Sequence, residues 1–164
     1  MNSFQETMLE YKKQLEKGTI QQAYKGLMDY MLGLRTYFDS RYPGCFVSGS
    51  LYFGYMDMTY FSFTPPALKE RNLKIAIVFL HEAFRFEAWL AGANKQVQAK
   101  TWKLIRESGW NKYQLVPSLQ GEDAILQHVL VENPDFNDLQ ALTGHIDQGT
   151  LGFSRDIENF LSKH

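Results

Sequence analysis

Apolar side chains recur along this chain with two different periods, and the change from one to the other separates helical from pleated stretches. Phe4, Met8, Tyr11 and Leu15 are spaced by three and four residues, which sets them on one face of a helix that Gly18 can end. Thr19 followed by Gln22 is a capping-box pattern, in which each side chain satisfies an orphaned backbone N–H at a helix start. The helix it opens carries the stripe Ala23, Leu27, Tyr30, Met31, Leu34 and Phe38, and it stops before Pro43-Gly44. These two helices are expected to run antiparallel.

From Phe46 the period shortens. Between Arg41 and Lys69 the only charged residue is Asp57, in a stretch rich in Phe, Tyr, Val, Ser and Thr, which favours sheet. Either a hairpin turns near Gly54 to Asp57, or one long strand bulges at Gly54; Pro65-Pro66 ends it in both cases. Two strand-like runs then flank His81-Glu82-Ala83. Side-chain parity pairs Ile75 with Leu90, Ile77 with Ala88 and Phe79 with Phe86 on a wholly apolar face. The other face pairs Ala76 with Trp89, Val78 with Glu87 and Leu80 with Arg85. A tight turn at Glu82-Ala83 lacks the Asn-Gly chemistry such turns favour, so a longer loop of the same parity is the alternative.

After Gly92 the pattern is helical again, with Asn94 as N-cap, Val97, Thr101, Leu104, Ile105 and Ser108 on one side, and Gly109 as the stop. Tyr113 to Val116 reads as a short edge strand before Pro117. The remainder reads as three helices. Ile125 and Val129 mark the first, Phe136, Leu139, Leu142 and Ile146 the second, and Phe153, Ile157, Phe160 and Leu161 the third, with Thr150 as its cap. The expectation is one α+β domain over residues 1–164: helices 3–17 and 20–41, sheet 46–91, helix 94–108 and C-terminal helices 122–162. Its antiparallel sheet has four or five strands, packed with N-terminal and C-terminal helices on at least one face. Eleven of the 24 aromatic residues lie between Phe46 and Trp89, and covering the sheet on both faces would account for them.

Composition narrows the function classes. A formal net charge of −1 gives no basic field to attract nucleic acid or an anionic membrane. Cys45 is the only cysteine, so an intramolecular disulfide and a multi-cysteine metal site are excluded. The charged N-terminus lacks the apolar core of a signal peptide, and no run reaches the length of a membrane span, so a cytoplasmic location is expected.

Chemistry, if present, belongs to the middle of the chain. Asp57 is a lone carboxylate in an aromatic strand, and such a group must be solvated, paired or raised in pKa; at a turn it is simply exposed. Arg85, Glu87 and Trp89 alternate and so project from one sheet face, either lining a pocket or forming an ion pair beneath the indole. Tyr55 and Tyr60 are their aromatic neighbours. His81-Glu82 lacks the second histidine of a zinc-protease motif and is expected to lie exposed at the turn. His128, His145 and His164 are far apart, no glycine-rich phosphate loop is present, and neither a metal nor a cofactor is expected.

The stretches YPGCFVSGSLYFGYMDMTYFSFTP and LKIAIVFLHEAFRFEAWLAGANKQVQAKTWKLI resemble a family of uncharacterised prokaryotic single-domain proteins, domain of unknown function 7000. The resemblance implies a stand-alone prokaryotic protein and carries over no catalytic residue. A weaker likeness is to metal-dependent nucleases of the restriction-endonuclease type, with Asp57, Glu87 and Gln98 in the acidic and glutamine places; Trp89 stands where those nucleases have the lysine that orients water. The function expected is therefore a small-ligand-binding or protein-interaction domain using Asp57, Tyr55, Tyr60, Arg85, Glu87 and Trp89. Its partner is a small molecule or a protein, and self-association into a homo-oligomer is one form of the latter. The alternative is a metal-dependent hydrolase using Asp57 and Glu87.

Overall fold

The computed structural model describes residues Met1 to His164. Two helices lead: α1 (Phe4–Glu16) and α2 (Thr19–Arg41). The capping box belongs to α1, where Ser3 Oγ accepts the Glu6 N–H and Glu6 Oε2 accepts the Ser3 N–H. At α2 the expected Thr19–Gln22 box does not form. Gly18 takes a left-handed φ of 76° and turns the chain so tightly that Thr19 is already helical, leaving Gly18 as a cap without a side chain. None of the residues of α1 is buried, whereas α2 buries Met28, Met31, Leu34 and Phe38.

Six strands follow, all antiparallel: β1 (Phe46–Val47), β2 (Met58–Thr64), β3 (Leu73–Leu80), β4 (Arg85–Gly92), β5 (Gln114–Leu115) and β6 (Ala124–Glu132), in the spatial order β1-β2-β3-β4-β6-β5. Three further helices are α3 (Pro66–Glu70), α4 (Lys95–Ser108) and α5 (Leu139–Ser162). The β3–β4 hairpin has the register that parity predicts, from Ile75 opposite Leu90 to Leu80 opposite Arg85, around a four-residue turn His81–Phe84. Upstream of β2 the hairpin alternative is realised, with Val47 opposite Phe63 and Tyr52 opposite Tyr60.

Two departures from the expected elements have physical causes. The segment read as a helix from Ile125 and Val129 is the strand β6. Register shifts opposite Phe86/Glu87 and Leu90/Ala91 bulge this strand, and bulges insert residues that erase the two-residue alternation a strand would otherwise show. The two helices expected after it are one, α5, which runs unbroken through Gly149 and the buried Thr150. Gly149 is there for packing: a Cβ would come within 2.7 Å of Leu130 Cδ2 on β6. The helix starts at Asp138, whose carboxylate accepts the Ala141 N–H, so Phe136 lies in the preceding loop.

The core lies on one face of the sheet. Ile77, Phe79, Phe86, Phe61 and Phe63 meet Met31, Leu34 and Phe38 of α2 and Leu142 and Ile146 of α5. Ile75, Ala88 and Leu90 meet Ile105 of α4 and Phe153 and Ile157 of α5. Of the eleven aromatic residues between Phe46 and Trp89, Phe61, Phe63, Phe79 and Phe86 belong to this core, while Phe46, Tyr52, Phe53, Tyr55 and Phe84 are exposed. The opposite face carries Met58, Tyr60, Val78, Glu87 and Trp89, set by the same alternation, and no core cluster forms over it.

Polar groups fasten the helices to each other. The Asp147 carboxylate of α5, 6% exposed, accepts the hydroxyls of Tyr37 and Tyr42 at 2.5 Å each and meets Arg41 Nε at 3.2 Å. A buried carboxylate needs this many donors to replace its hydration. Tyr113 and Lys112 hold Asp156 in the same way near the other end of α5.

The tip of the first hairpin depends on a glycine. Gly54 has φ 74°, and a Cβ there would lie 2.1 Å from the Met58 carbonyl oxygen and 2.5 Å from Asp57 Oδ1. Gly54→Ala is expected to lower stability by about 2 kcal/mol or more in denaturant unfolding, because it combines backbone strain with overlap that the turn cannot relieve.

Candidate functional site

On the open face, Glu87 is 3% exposed although no helix covers it. Its two oxygens are both used. Oε2 accepts Arg85 Nε at 2.6 Å, and Oε1 accepts the Trp89 indole N–H at 2.8 Å. Arg85 also approaches Glu132 at 3.6 Å. Alternation along β4 brings these three side chains to one side, and the carboxylate then holds the other two in place. The arrangement keeps a charge paired and fixes the plane of the indole ring. Beside it, Tyr60 and Trp89 line a cleft of about 290 Å³, to which Arg85 and Glu87 do not contribute.

Asp57 stands elsewhere. Its Oδ1 accepts the Tyr55 N–H at 2.8 Å, closing the hairpin turn, and backbone N–H groups, that of Tyr55 first, hold its carboxyl below the ordinary range. Tyr55 is 94% exposed at the tip of that turn and lines no part of the Tyr60–Trp89 cleft. Strands lie about 4.8 Å apart with a rise of about 3.3 Å per residue, so Asp57 is separated from Glu87 by about 14 Å. Two carboxylates binding one cation must both reach within about 2.6 Å of it. Glu87 is also saturated, and no group of three or more His, Cys, Asp or Glu side chains could hold a metal ion. Gln98 is buried on α4 and donates to the Glu122 carbonyl.

The largest cavity is one the sequence reading passed over. It measures about 610 Å³, and ten of its 13 lining residues are hydrophobic. The first turns of α2 form one wall through Ala23, Gly26, Leu27 and Tyr30. The β3–β4 turn forms the second with Phe79, His81 and Phe84, and the loop before α5 closes the third with Phe136 and Leu139. Phe84 has a φ of 54°, a left-handed conformation that costs a bulky residue about 1–2 kcal/mol. It is held there by edge contacts with Phe79 and Phe136 and by its carbonyl, which accepts the Asn133 N–H.

Apart from the tyrosine hydroxyls, His81 and Gln22 are the polar side chains that line this cavity. His81 was expected to lie exposed at the turn, but it is partly buried, stacked near Tyr24 and in edge contact with Phe79. Thr59 Oγ1 lies 2.9 Å from His81 Nε2 and 2.8 Å from the Phe53 carbonyl oxygen. A carbonyl only accepts, so the threonine hydrogen goes to Phe53 and Nε2 must be the donor to Thr59. Nδ1 is left as the unprotonated nitrogen with no partner in the chain. Burial pushes His81 below its ordinary pKa, against the nearby Asp57 carboxylate, which raises it. The hydroxyl, imidazole and carboxylate therefore do not form a nucleophile relay: Thr59 is fully buried and its proton points away from the ring.

The signal for His81 was present in the sequence. Ile75, Ile77 and Phe79 share the parity of the core face, and the next residue of that parity is His81. Its place at the strand end, beside the turn, masks that continuation.

Fold and cavity together define an α+β protein in which helices cover one face of a six-stranded antiparallel sheet and leave an apolar cavity at one end. Residues 4–161 match the model of a family described as a domain of unknown function, DUF7000, and the chain belongs to that family. No curated protein and no solved structure matches the chain. No helix is long and apolar enough to cross a membrane.

The partly buried histidines make stability depend on pH. Burial lowers the pKa of both His81 and His128 from 6.5 in the folded state, His128 lying between Tyr113 and Phe153. Below 6.5 the unfolded chain then binds more protons than the folded one, so stability is complete above that value and declines as pH falls towards the folded-state pKa. Tm is expected to drop between about pH 7.5 and about pH 5.5, and the double variant His81→Gln, His128→Gln should flatten that part of the profile. The lowered carboxyls of Asp57 and Asp156 act only at more acidic pH.

Proposed function

We propose that this protein is a binding domain for a small, largely apolar molecule that carries one hydrogen-bond donor, held in the cavity between α2, the β3–β4 turn and the loop before α5. The observation that carries this is the cavity itself: about 610 Å³ and lined mostly by hydrophobic side chains. That volume lies within the usual range of about 300–1,000 Å³ for small-molecule sites, which are typically apolar with a few placed polar groups. His81 Nδ1 is such a group. As a neutral acceptor it favours an alcohol, phenol or indole N–H over a carboxylate, which is itself only an acceptor and pairs with this nitrogen only once the imidazole is protonated.

Strain supports the same location. Phe84 holds a costly backbone conformation at the cavity rim, and residues of that kind gather at binding sites, where the surrounding structure imposes them. Desolvation of an apolar ligand provides about 25 cal/mol per Å² buried, and its one donor finds His81 rather than an unsatisfied wall.

Ala23 and Gly26 allow the proposal to be tested without disturbing the core, since both are exposed on α2 and line the cavity. Ala23→Trp fills the space with a side chain. Titration with 4-butylphenol, its methyl ether and decanoate, followed by calorimetry, should show the phenol binding best. Ala23→Trp should weaken it by more than about tenfold while Tm stays at or above that of the unaltered protein. Equal binding to the filled variant would show that the phenol sits elsewhere.

A further inference from the structure

We propose that the cleft between Tyr60 and Trp89 on the open sheet face is a second binding site, for a planar nitrogen heterocycle carrying an anionic group, the chemistry of a mononucleotide. It shares no lining residue with the apolar cavity. The register builds the slot. Trp89 on β4 stands opposite Ala76 on β3, and Tyr60 on β2 stands opposite Val78, one alternate position along. Ala76 and Ala91 keep the floor low between two large flat side chains. Both rings are immobilised before any ligand arrives. Glu87 fixes the indole through its N–H, and Tyr52 stacks behind Tyr60 with centroids 4.9 Å apart. Fixed aromatic faces stack with flat heterocycles at little entropic cost.

The polar groups around the slot supply the rest of the chemistry. Gln98 is 3% exposed and lines the cleft; its Nε2 is spent on the Glu122 carbonyl, while Oε1 has no partner in the chain and accepts an N–H from a ligand. Asp123 offers a second acceptor close to Tyr60, whose hydroxyl is pushed up by burial and then by that carboxylate. Lys74 and Lys95 border the same cleft, and neither forms an ion pair with the chain, so both are free for an anionic substituent. A neutral sugar would use the rings and the acceptors but would leave both cations idle. The volume of about 290 Å³ is at the small end of the usual range of about 300–1,000 Å³ for small-molecule sites, room for a single ring system with its anionic substituent at the open rim.

The test follows the indole N–H resonance of Trp89, assigned by its loss in Trp89→Phe, while AMP, CMP, GMP, UMP, the neutral nucleosides and inorganic phosphate are titrated separately. At least one mononucleotide should move that resonance saturably and leave those of Trp102 and Trp110 in place. Lys74→Ala, a change at an exposed position, should weaken that mononucleotide about fivefold to tenfold and leave its nucleoside unaffected. The proposal is overturned if no mononucleotide moves Trp89 at millimolar concentration, if phosphate alone reproduces the shift, or if Lys74→Ala weakens nucleoside and nucleotide alike.

Discussion

Everything in this fold depends on the parity of the β3–β4 hairpin. Ile75, Ile77 and Phe79 face Leu90, Ala88 and Phe86 across the ladder, and all six point to the helices. A slip of one residue would turn Lys74, Arg85 and Glu87 into that layer and expose the apolar set, a rearrangement far beyond the marginal stability of a domain. The register therefore has one solution. From it follow the helical layer on one side, the bare aromatic face on the other, and the side on which each candidate site lies.

The two faces treat charge differently. Under the helices Asp147 is tolerated only because Tyr37 and Arg41 of α2 and Tyr42 at its C-terminal cap replace its water, and in doing so it locks α5 to α2. On the open face Glu87 is as deeply shielded, but by its own strand neighbours, and the result is an oriented tryptophan. In each case a desolvated carboxylate fixes the aromatic groups that satisfy it. Rigid aromatic walls at the surface are the by-product.

Much of the hairpin and of both first helices was legible in the sequence because there the pattern reflects one physical cause at a time: burial on a single face. β6 was not, because two bulges superimpose an extra constraint on the alternation and leave Ile125 and Val129 at a helical spacing. Thr150, expected as a helix cap, is instead buried inside the unbroken helix α5. Of the site residues, Arg85, Glu87 and Trp89 were correctly placed on one face, since parity alone decides that. The apolar cavity was hidden because its walls come from α2, the β3–β4 turn and the loop before α5, and only the tertiary fold brings Ala23, His81 and Phe136 together. The Tyr37–Asp147 contact, across 110 residues, was equally beyond reach.

The outer strands also bear on how copies of the chain can meet. β1 and β5 have two residues each, the Ser62 N–H beside β1 is taken by Ser48 Oγ, and Pro117 follows shortly after β5. The part of β6 that extends past β5 is bulged at Val129 to Val131, which twists its free edge out of line. Neither margin offers a template on which another strand could lengthen the ladder. Growth of the sheet from molecule to molecule is thus disfavoured, and any assembly must be built side chain to side chain, through a helix such as α1, whose Phe4, Met8 and Tyr11 remain uncovered, rather than backbone to backbone.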